Sequence, residues 1–497
     1  MRLQVSLINV LTCAVLLLAS AAMADQPKIL PAGYSVETIK TPVDAHGRPV
    51  QFEGGAIDFS ADGTAFIATR VAGIWKYKDG KWSLFADGLH DPQGLLVAPD
   101  GHSLYVCHKP ELTRITDLDG DGVGDLYETI NDDWKFAGNY CEYVHGLVRD
   151  RHGTFYMTLN LADGNNRSND RSIPIFKGGG AAMATTLGYD GWAVAVTKDG
   201  KFVPWACGLR SPAGIGSNRE DEVFFTDNQG GWIGTSTLNH LKKGAFYGYP
   251  ASMLDLPQYK SEKDLKKEDF EKLRKPPVAW IPHGELANSP GNPQFDETGG
   301  KFGPFAGQVF IGDQTRSNIF RASIEKVKGE YQGAVFNFID HLQSGCIRIR
   351  FDGQGRLWTG QTGRGWRSVG GKMEGLQRIT WDGKTVPFEM HSMKLTKTGF
   401  AIRFTKSVDK ASVTGDGAIR FRHWHYHYHG KYGSPKVDVT AVTPQRISVS
   451  ADRLTVYVDL PLKAGKVFQV MTKDITAEDG STMTTKTGYY TLNNLLD

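Results

Sequence analysis

The stretch Gly55-Ala56-Ile57-Asp58-Phe59, followed by Asp62-Gly63 and then Ala65-Phe66-Ile67, decides the fold. Two short apolar runs without helical period, joined by a turn whose glycine tolerates a left-handed backbone, read as a β-hairpin buried on both faces. The pattern returns as Gly94-Leu95-Leu96-Val97, Asp100-Gly101 and Leu104-Tyr105-Val106. It returns again as His145-Gly146-Leu147-Val148, His152-Gly153 and Phe155-Tyr156-Met157. Gly214-Ile215-Gly216 with Val223-Phe224-Phe225 is a fourth copy. Ile347 to Phe351 with Gln354-Gly355 and Leu357-Trp358 is a later one. Hairpins recurring roughly every 40 to 60 residues fit the blades of a β-propeller, about four strands each. The spacing predicts six blades, with seven the alternative. Ser261 to Leu273, rich in Lys and Glu, is the clear helical candidate.

From about Phe388 the texture changes. Gly399 to Thr405, Ala418 to Tyr428, Arg446 to Val449 and Leu454 to Leu460 alternate polar and apolar residues between polar turns, the pattern of a small immunoglobulin-like β-sandwich. The chain is thus read as all-β, with a leader at 1–24, a propeller at 25–385 and the sandwich at 386–497. The leader has Arg2, an apolar run from Val10 to Leu18 and a small-x-small site at Ala22-Met23-Ala24. That run is too short to span a bilayer, so no membrane span is expected and the mature protein is placed in a periplasm or outside the cell. The formal charge of +3 falls by one with Arg2, which argues against nucleic acid as a partner. Cys107, Cys141, Cys207 and Cys346 permit two disulfides or four buried thiols.

The most specific motif is Asp117-Leu-Asp119-Gly-Asp121-Gly122-Val123-Gly-Asp125-Leu-Tyr-Glu128. It fits every position of the twelve-residue calcium loop, with the Val123 carbonyl as the main-chain ligand, here on a β-hairpin. His145 opens the third copy and would point at the central channel. Arg210, in Gly208-Leu209-Arg210-Ser211-Pro212-Ala213-Gly214, sits near the equivalent place in the next copy, Gln93 in the second, and Arg348 and Arg350 in a later one. A base with several guanidiniums suits an anionic cofactor and proton removal. His283 to Pro290 and Gln361 to Trp366 are polar loops that either line the site or merely close turns. His423, His425, His427 and His429 would share one face of a strand, either as a metal site or, more simply, as an exposed face behind core aromatics. Gly-x-Ser-x-Gly is missing, and Gly178-Gly179-Gly180 alone does not make a phosphate loop.

His-Gly-Leu-Val, Gly-Thr-Phe-Tyr, Gly-Leu-Arg-Ser-Pro-Ala-Gly-Ile, Phe225-Thr226-Asp227-Asn228-Gln229-Gly230 and Tyr247-Gly248-Tyr249-Pro250, in that order, resemble the soluble quinoprotein glucose/sorbosone dehydrogenase family. The resemblance covers roughly residues 50 to 380. It implies a six-bladed propeller that binds pyrroloquinoline quinone (PQQ) with calcium and oxidises aldoses. By the same resemblance His145 is the general base and Arg210 the substrate- and quinone-side arginine. Arg348, Arg350, Asn228 and Gly230 are implied as cofactor-binding, and Gly248-Tyr249-Pro250 stands for the family's Gly-Trp-Pro element. The family's Arg-Asn-Pro-Gln-Gly reads Arg210-Ser211-Pro212-Ala213-Gly214 here, so two amides are absent. The segment from His283 onward is closer to a subgroup labelled membrane-bound dehydrogenases, which often carry a cytochrome c module. This sequence has no Cys-x-x-Cys-His, so an external electron acceptor such as a cytochrome is implied.

Three functions follow: a sugar dehydrogenase-like oxidoreductase, a propeller polysaccharide lyase using His145 or a tyrosine such as Tyr143 or Tyr247, and a non-catalytic glycan- or protein-binding propeller. The dehydrogenase-like reading is the one taken forward. For the calcium loop, calcium is expected to raise the melting temperature, and Asp119→Ala to abolish that rise. No stabilisation of the parent by calcium would refute the motif.

Overall fold

The computed structural model describes residues 28–136, 138, 141–164, 176–177, 183–365 and 367–497. The leader expected at 1–24, Gly178 to Gly180 and Trp366 lie outside the described residues. Each expected hairpin forms. The first becomes strands Gly54–Phe59 and Ala65–Thr69, extended by Ile74–Lys78 and Lys81–Ala86 into a four-stranded antiparallel sheet. The second sheet runs through Gly94–Val97, Ser103–Cys107, Leu112–Thr116 and Leu126–Asn131. The third uses Val144–Arg149, Phe155–Leu159, Trp192–Val196 and Phe202–Cys207, and the fourth Gly214–Ser217, Val223–Asp227, Ser236–His240 and Ala279–Ile281. The repeated turn is held the same way in several copies: a carboxylate or amide oxygen of Asp100, Asp150, Asn218 or Asp352 accepts the amide two residues on. These caps, with glycine or Asp221 in the left-handed region, make the turn legible in sequence.

Pro290–Phe295, Val309–Asp313, Asn318–Val327 and Glu330–Ile339 form a fifth sheet that the repeat did not reveal. Cys346–Phe351, Leu357–Thr362 and Glu374–Trp381 form a sixth, completed by Tyr34–Thr38 from the other end of the chain, with Tyr34 opposite Trp381. The innermost strands of the six sheets touch in cyclic order and the last touches the first, so the ring closes on itself. Close approach there needs glycine. A Cβ on Gly94 would lie 2.4 Å from the Gly146 backbone, and one on Gly214 would lie 2.3 Å from that of Asn292.

The C-terminal strands make two facing sheets around Phe336, Phe388, Phe400, Phe421, Phe468 and Tyr490. One sheet is Met390–Leu395, Gly399–Phe404, Thr455–Asp459 and Arg446–Val449. The other is continuous with the fifth sheet: Glu330–Ile339 pairs with Thr487–Leu492, then Lys466–Thr472, Ile419–His425 and Val437–Val442 follow. The helical candidate at 261–273 breaks into two pieces, Glu262–Asp264 and Lys267–Leu273, with Phe270 buried. No described helix is long and apolar enough to cross a membrane. All four described cysteines are free thiols, so neither disulfide forms.

Arg321, 1% exposed, ties the two parts together: its Nη1 donates to Gln308 Oε1 and the His391 carbonyl, each at 2.8 Å, and Nη2 to the Met390 carbonyl. Phe305 and Phe336 flank its guanidinium. Arg321→Leu strands those buried acceptors and is expected to lower unfolding free energy by about 3 kcal/mol in urea titrations. A loss below about 1 kcal/mol would show that the tie is replaceable.

Candidate active site at the channel mouth

Every inner strand starts at one end of the ring, and every second strand ends there, so their flanking loops converge on one mouth. His145 stands just inside it, 5% exposed. Arg348, on the inner strand of the sixth sheet and 4% exposed, reaches across the axis to it, Nη2 lying 2.5 Å from His145 Nδ1. An arginine can only donate, so Nδ1 is the acceptor and the neutral ring carries its proton on Nε2. Burial, and then the Arg348 charge, hold the His145 pKa well below its usual value. The expectation of a general base is corrected here: His145 is set as a neutral hydrogen-bond donor, because the lone pair that would remain is already engaged.

Arg348 spends its other donors on the main chain. Nε and Nη2 reach the Gln93 carbonyl at 3.3 and 3.2 Å. Nη1 donates to the Ala213 carbonyl and, at 2.9 Å, to that of Ile347. All five N–H groups are thus occupied within the protein, and burial lowers the arginine's pKa to about 10. Arg350, two residues on, faces the opposite end of the channel, where a cavity of about 290 Å³ is lined by Asp58, Arg149, Asn292, Gln294 and Arg350. Its guanidinium pairs with Asp58 at 2.8 Å. Neither arginine offers a donor at the mouth, which corrects their assignment to a cofactor.

Arg210 and its neighbours do meet at the mouth. Asp227, ending the second strand of the fourth sheet, accepts the amides of Arg210 at 2.9 Å, Ser211 at 2.8 Å and Asn228 at 2.8 Å. Burial raises its pKa to about 6. Arg210 Nη1 donates to the Gln229 carbonyl at 3.0 Å, while Nε is buried without a partner. The guanidinium lies against Gly230, where a Cβ would sit 1.9 Å from Nε. The side-chain oxygens of Asn228 and Asn160 are buried acceptors without a donor.

Sequence reasoning missed a network across the mouth. Arg70 pairs with Glu53 at 3.3 Å and Asp91 at 3.1 Å, and Lys109 pairs with Asp91 at 3.0 Å. Arg70 Nη1 donates to the Tyr143 hydroxyl at 2.9 Å, Lys109 lies over the Tyr143 ring, and that ring stacks on His145 at 5.6 Å. The signal was positional: Arg70 and Lys109 each directly follow or nearly follow a second strand of the repeat. Of the two polar loops, Arg364 reaches Glu53 at 3.5 Å, and Asn288 and Ser289 give their amides to Asp313.

The calcium loop lies at the other end, on the outer hairpin of the second sheet. Asp117, Asp119 and Asp125 bring their oxygens within 4.8 Å of one another. Asp121 instead accepts the Val123 amide at 2.7 Å, and Glu128 has moved along Leu126–Asn131, opposite Arg114. Of the five expected carboxylates three gather, and Glu128, the twelfth residue of the motif, lies on the strand. In the histidine run the strand ends at His425, the rings of His425, His427 and His429 lie 5.8 and 5.9 Å apart in succession, and Trp424 is wholly buried in the core.

Residues 190–361 match the family model described as Glucose / Sorbosone dehydrogenase. No curated protein matches the chain. The fold is shared with the holo form of the pyranose dehydrogenase PQQ domain from Coprinopsis cinerea, 10% identical with a TM-score of 0.50, covering 72% of this chain and 99% of that one. It is shared equally with the calcium structure of the family AA12 carbohydrate-active enzyme from Trichoderma reesei, 13% identical with a TM-score of 0.50 and the same coverage. The soluble aldose sugar dehydrogenase from Escherichia coli in its apo form is 16% identical with a TM-score of 0.48, over 70% of this chain and 99% of that one. The resemblance read from the motifs is therefore to this family, and the fold is that of an all-β propeller.

Arg348 and Arg350 do not fit the quinone role: Arg348 has no donor left and Arg350 is at the wrong end, while Asn228 and Gly230 stay at the mouth beside Arg210.

His145 remains neutral when folded but titrates near 6.5 when unfolded. As pH falls through 6.5 the unfolded chain binds a proton the folded chain refuses, so this residue's contribution to stability is lost at about 1.4 kcal/mol per pH unit. His145→Gln keeps an acceptor for Arg348 without titrating. The stability advantage of parent over variant should shrink by about 1 kcal/mol between pH 6.5 and 5.5 in urea titrations, the full slope being reached at lower pH; a constant difference would contradict the assignment.

Proposed function

We propose that the chain is an exported sugar dehydrogenase-like oxidoreductase: a six-bladed propeller with an immunoglobulin-like sandwich, a calcium ion on the Asp117–Asp125 loop, and an aldose held at the channel mouth. The six sheets and their closed ring of inner strands support the blade count. The match over residues 190–361 supports the reaction class.

The observation that carries the reading is Tyr143, whose hydroxyl accepts from Arg70 beside a donor histidine. Tyr143, its hydroxyl held by Arg70 and its ring stacked on His145, is the residue placed to take, as a phenolate, a proton from a sugar hydroxyl. His145 gives its Nε2–H to a sugar oxygen and fixes the ring. The anomeric carbon loses hydride to an external two-electron acceptor as its hydroxyl proton goes to Tyr143, leaving a lactone.

A second reading, a uronate polysaccharide lyase, draws on the same tyrosine with Arg210 neutralising the carboxylate. What favours it is the saturated Arg348, which leaves a quinone no grip. Purified protein is to be offered aldoses with an artificial acceptor and, separately, polyuronates. Acceptor reduction that falls about 100-fold or more in Tyr143→Phe is the expected result. Unsaturated uronate products in place of acceptor reduction would select the lyase, and unchanged turnover in the variant would remove Tyr143 from either mechanism.

A further inference from the structure

The C-terminal strand Ile419–His425 runs into a loop that leaves the sandwich and lies on the mouth. The Trp232 amide donates to the His429 carbonyl at 2.9 Å, the Gly433 amide to the Gly230 carbonyl at 2.9 Å, and the Ser434 amide to the Gly234 carbonyl at 2.8 Å. Gly231 and Tyr432 form a backbone bridge between the two loops. Tyr428 packs on Trp232 with ring centres 5.0 Å apart, and its hydroxyl closes the Gly248 carbonyl. The segment is therefore fixed on the loop that carries Asn228, Gln229 and Gly230, beside Arg210.

At its tip Tyr432 is 68% exposed, and the Arg210 guanidinium lies 5.3 Å from its ring centre. One face of an aromatic ring is thus set by a buried cation while the ring as a whole stays open to solvent. A fixed, open aromatic face beside a cation at a polar rim is what a pyranose needs: its axial C–H groups stack on the ring while its hydroxyls meet polar groups of the rim. Gly433, at φ +62° and with Gln229 where a Cβ would be, sets the loop's path.

We propose that Tyr432 is a sugar-stacking residue, so that the C-terminal region supplies one wall of the mouth and sets which pyranose it accepts. The proposal rests on the sugar-binding reading of the mouth. Binding of a panel of aldopyranoses and of short oligosaccharides to the full chain is to be measured by calorimetry for the parent, Tyr432→Ala, Tyr432→Phe and Gly433→Val, with melting temperature as the check on folding. The expected result is parent binding that weakens about tenfold or more in Tyr432→Ala, survives in Tyr432→Phe because the ring face is kept, and weakens in Gly433→Val because the loop is displaced. Parent binding that is unchanged in a folded Tyr432→Ala overturns this proposal and leaves the sugar reading standing. A parent that binds none of the sugars overturns both.

Discussion

The Arg348 guanidinium is the point on which the centre of the ring depends. Its donors engage the Gln93 carbonyl before the second sheet, His145 in the third, the Ala213 carbonyl before the fourth and the Ile347 carbonyl in the sixth. Inner strands of a closed ring have one edge facing the channel, where their carbonyls find no strand partner. A buried planar cation with five donors satisfies four sheets at once, and a charge so buried is tolerable because every N–H is used. The same saturation decides the chemistry. It takes the Nδ1 lone pair of His145 and leaves nothing for an anionic cofactor on the axis.

The polar side chains left for a ligand lie outward, in the loops at the mouth. There the charges are arranged in pairs: Arg70 with Glu53 and Asp91, Lys109 with Asp91. Tyr143 and Arg210 are held among them by main-chain and ring contacts, and Asp227 orders the Arg210 loop through three amides. A hydrogen-bonded rim whose charges are arranged in pairs suits a neutral polyol better than a multiply charged ligand. The C-terminal region takes part because one of its sheets continues the fifth sheet through Glu330–Ile339 and Thr487–Leu492, which fixes where its loop can reach.

Much of the fold was legible because each hairpin carries its own turn. Asp100-Gly101 and Asp352 with Gly355 write the left-handed turn and its side-chain cap into adjacent residues. The fifth sheet was not legible: Pro290-Gly291-Asn292-Pro293-Gln294-Phe295 reads as a loop. Proline is tolerated there because the innermost strand of a blade is an edge, and an N–H facing the channel is not needed for the ladder. The calcium motif is complete in the sequence, yet the hairpin's own register carries Glu128 away from Asp117, Asp119 and Asp125.

Sequence by itself determined that the chain is built of repeated β-hairpins followed by a differently patterned β-region, and that His145 and Arg210 belong at similar places in successive copies. These are local matters: period, turn chemistry and the position of a residue within its repeat. Only the tertiary structure decided which arginine is spent and which remains available, and which tautomer His145 holds. It also decided that a tyrosine more than 200 residues from Arg210 lies over it. Those outcomes depend on donors and acceptors meeting across the ring from segments far apart in the chain, and no local pattern records where such partners will be.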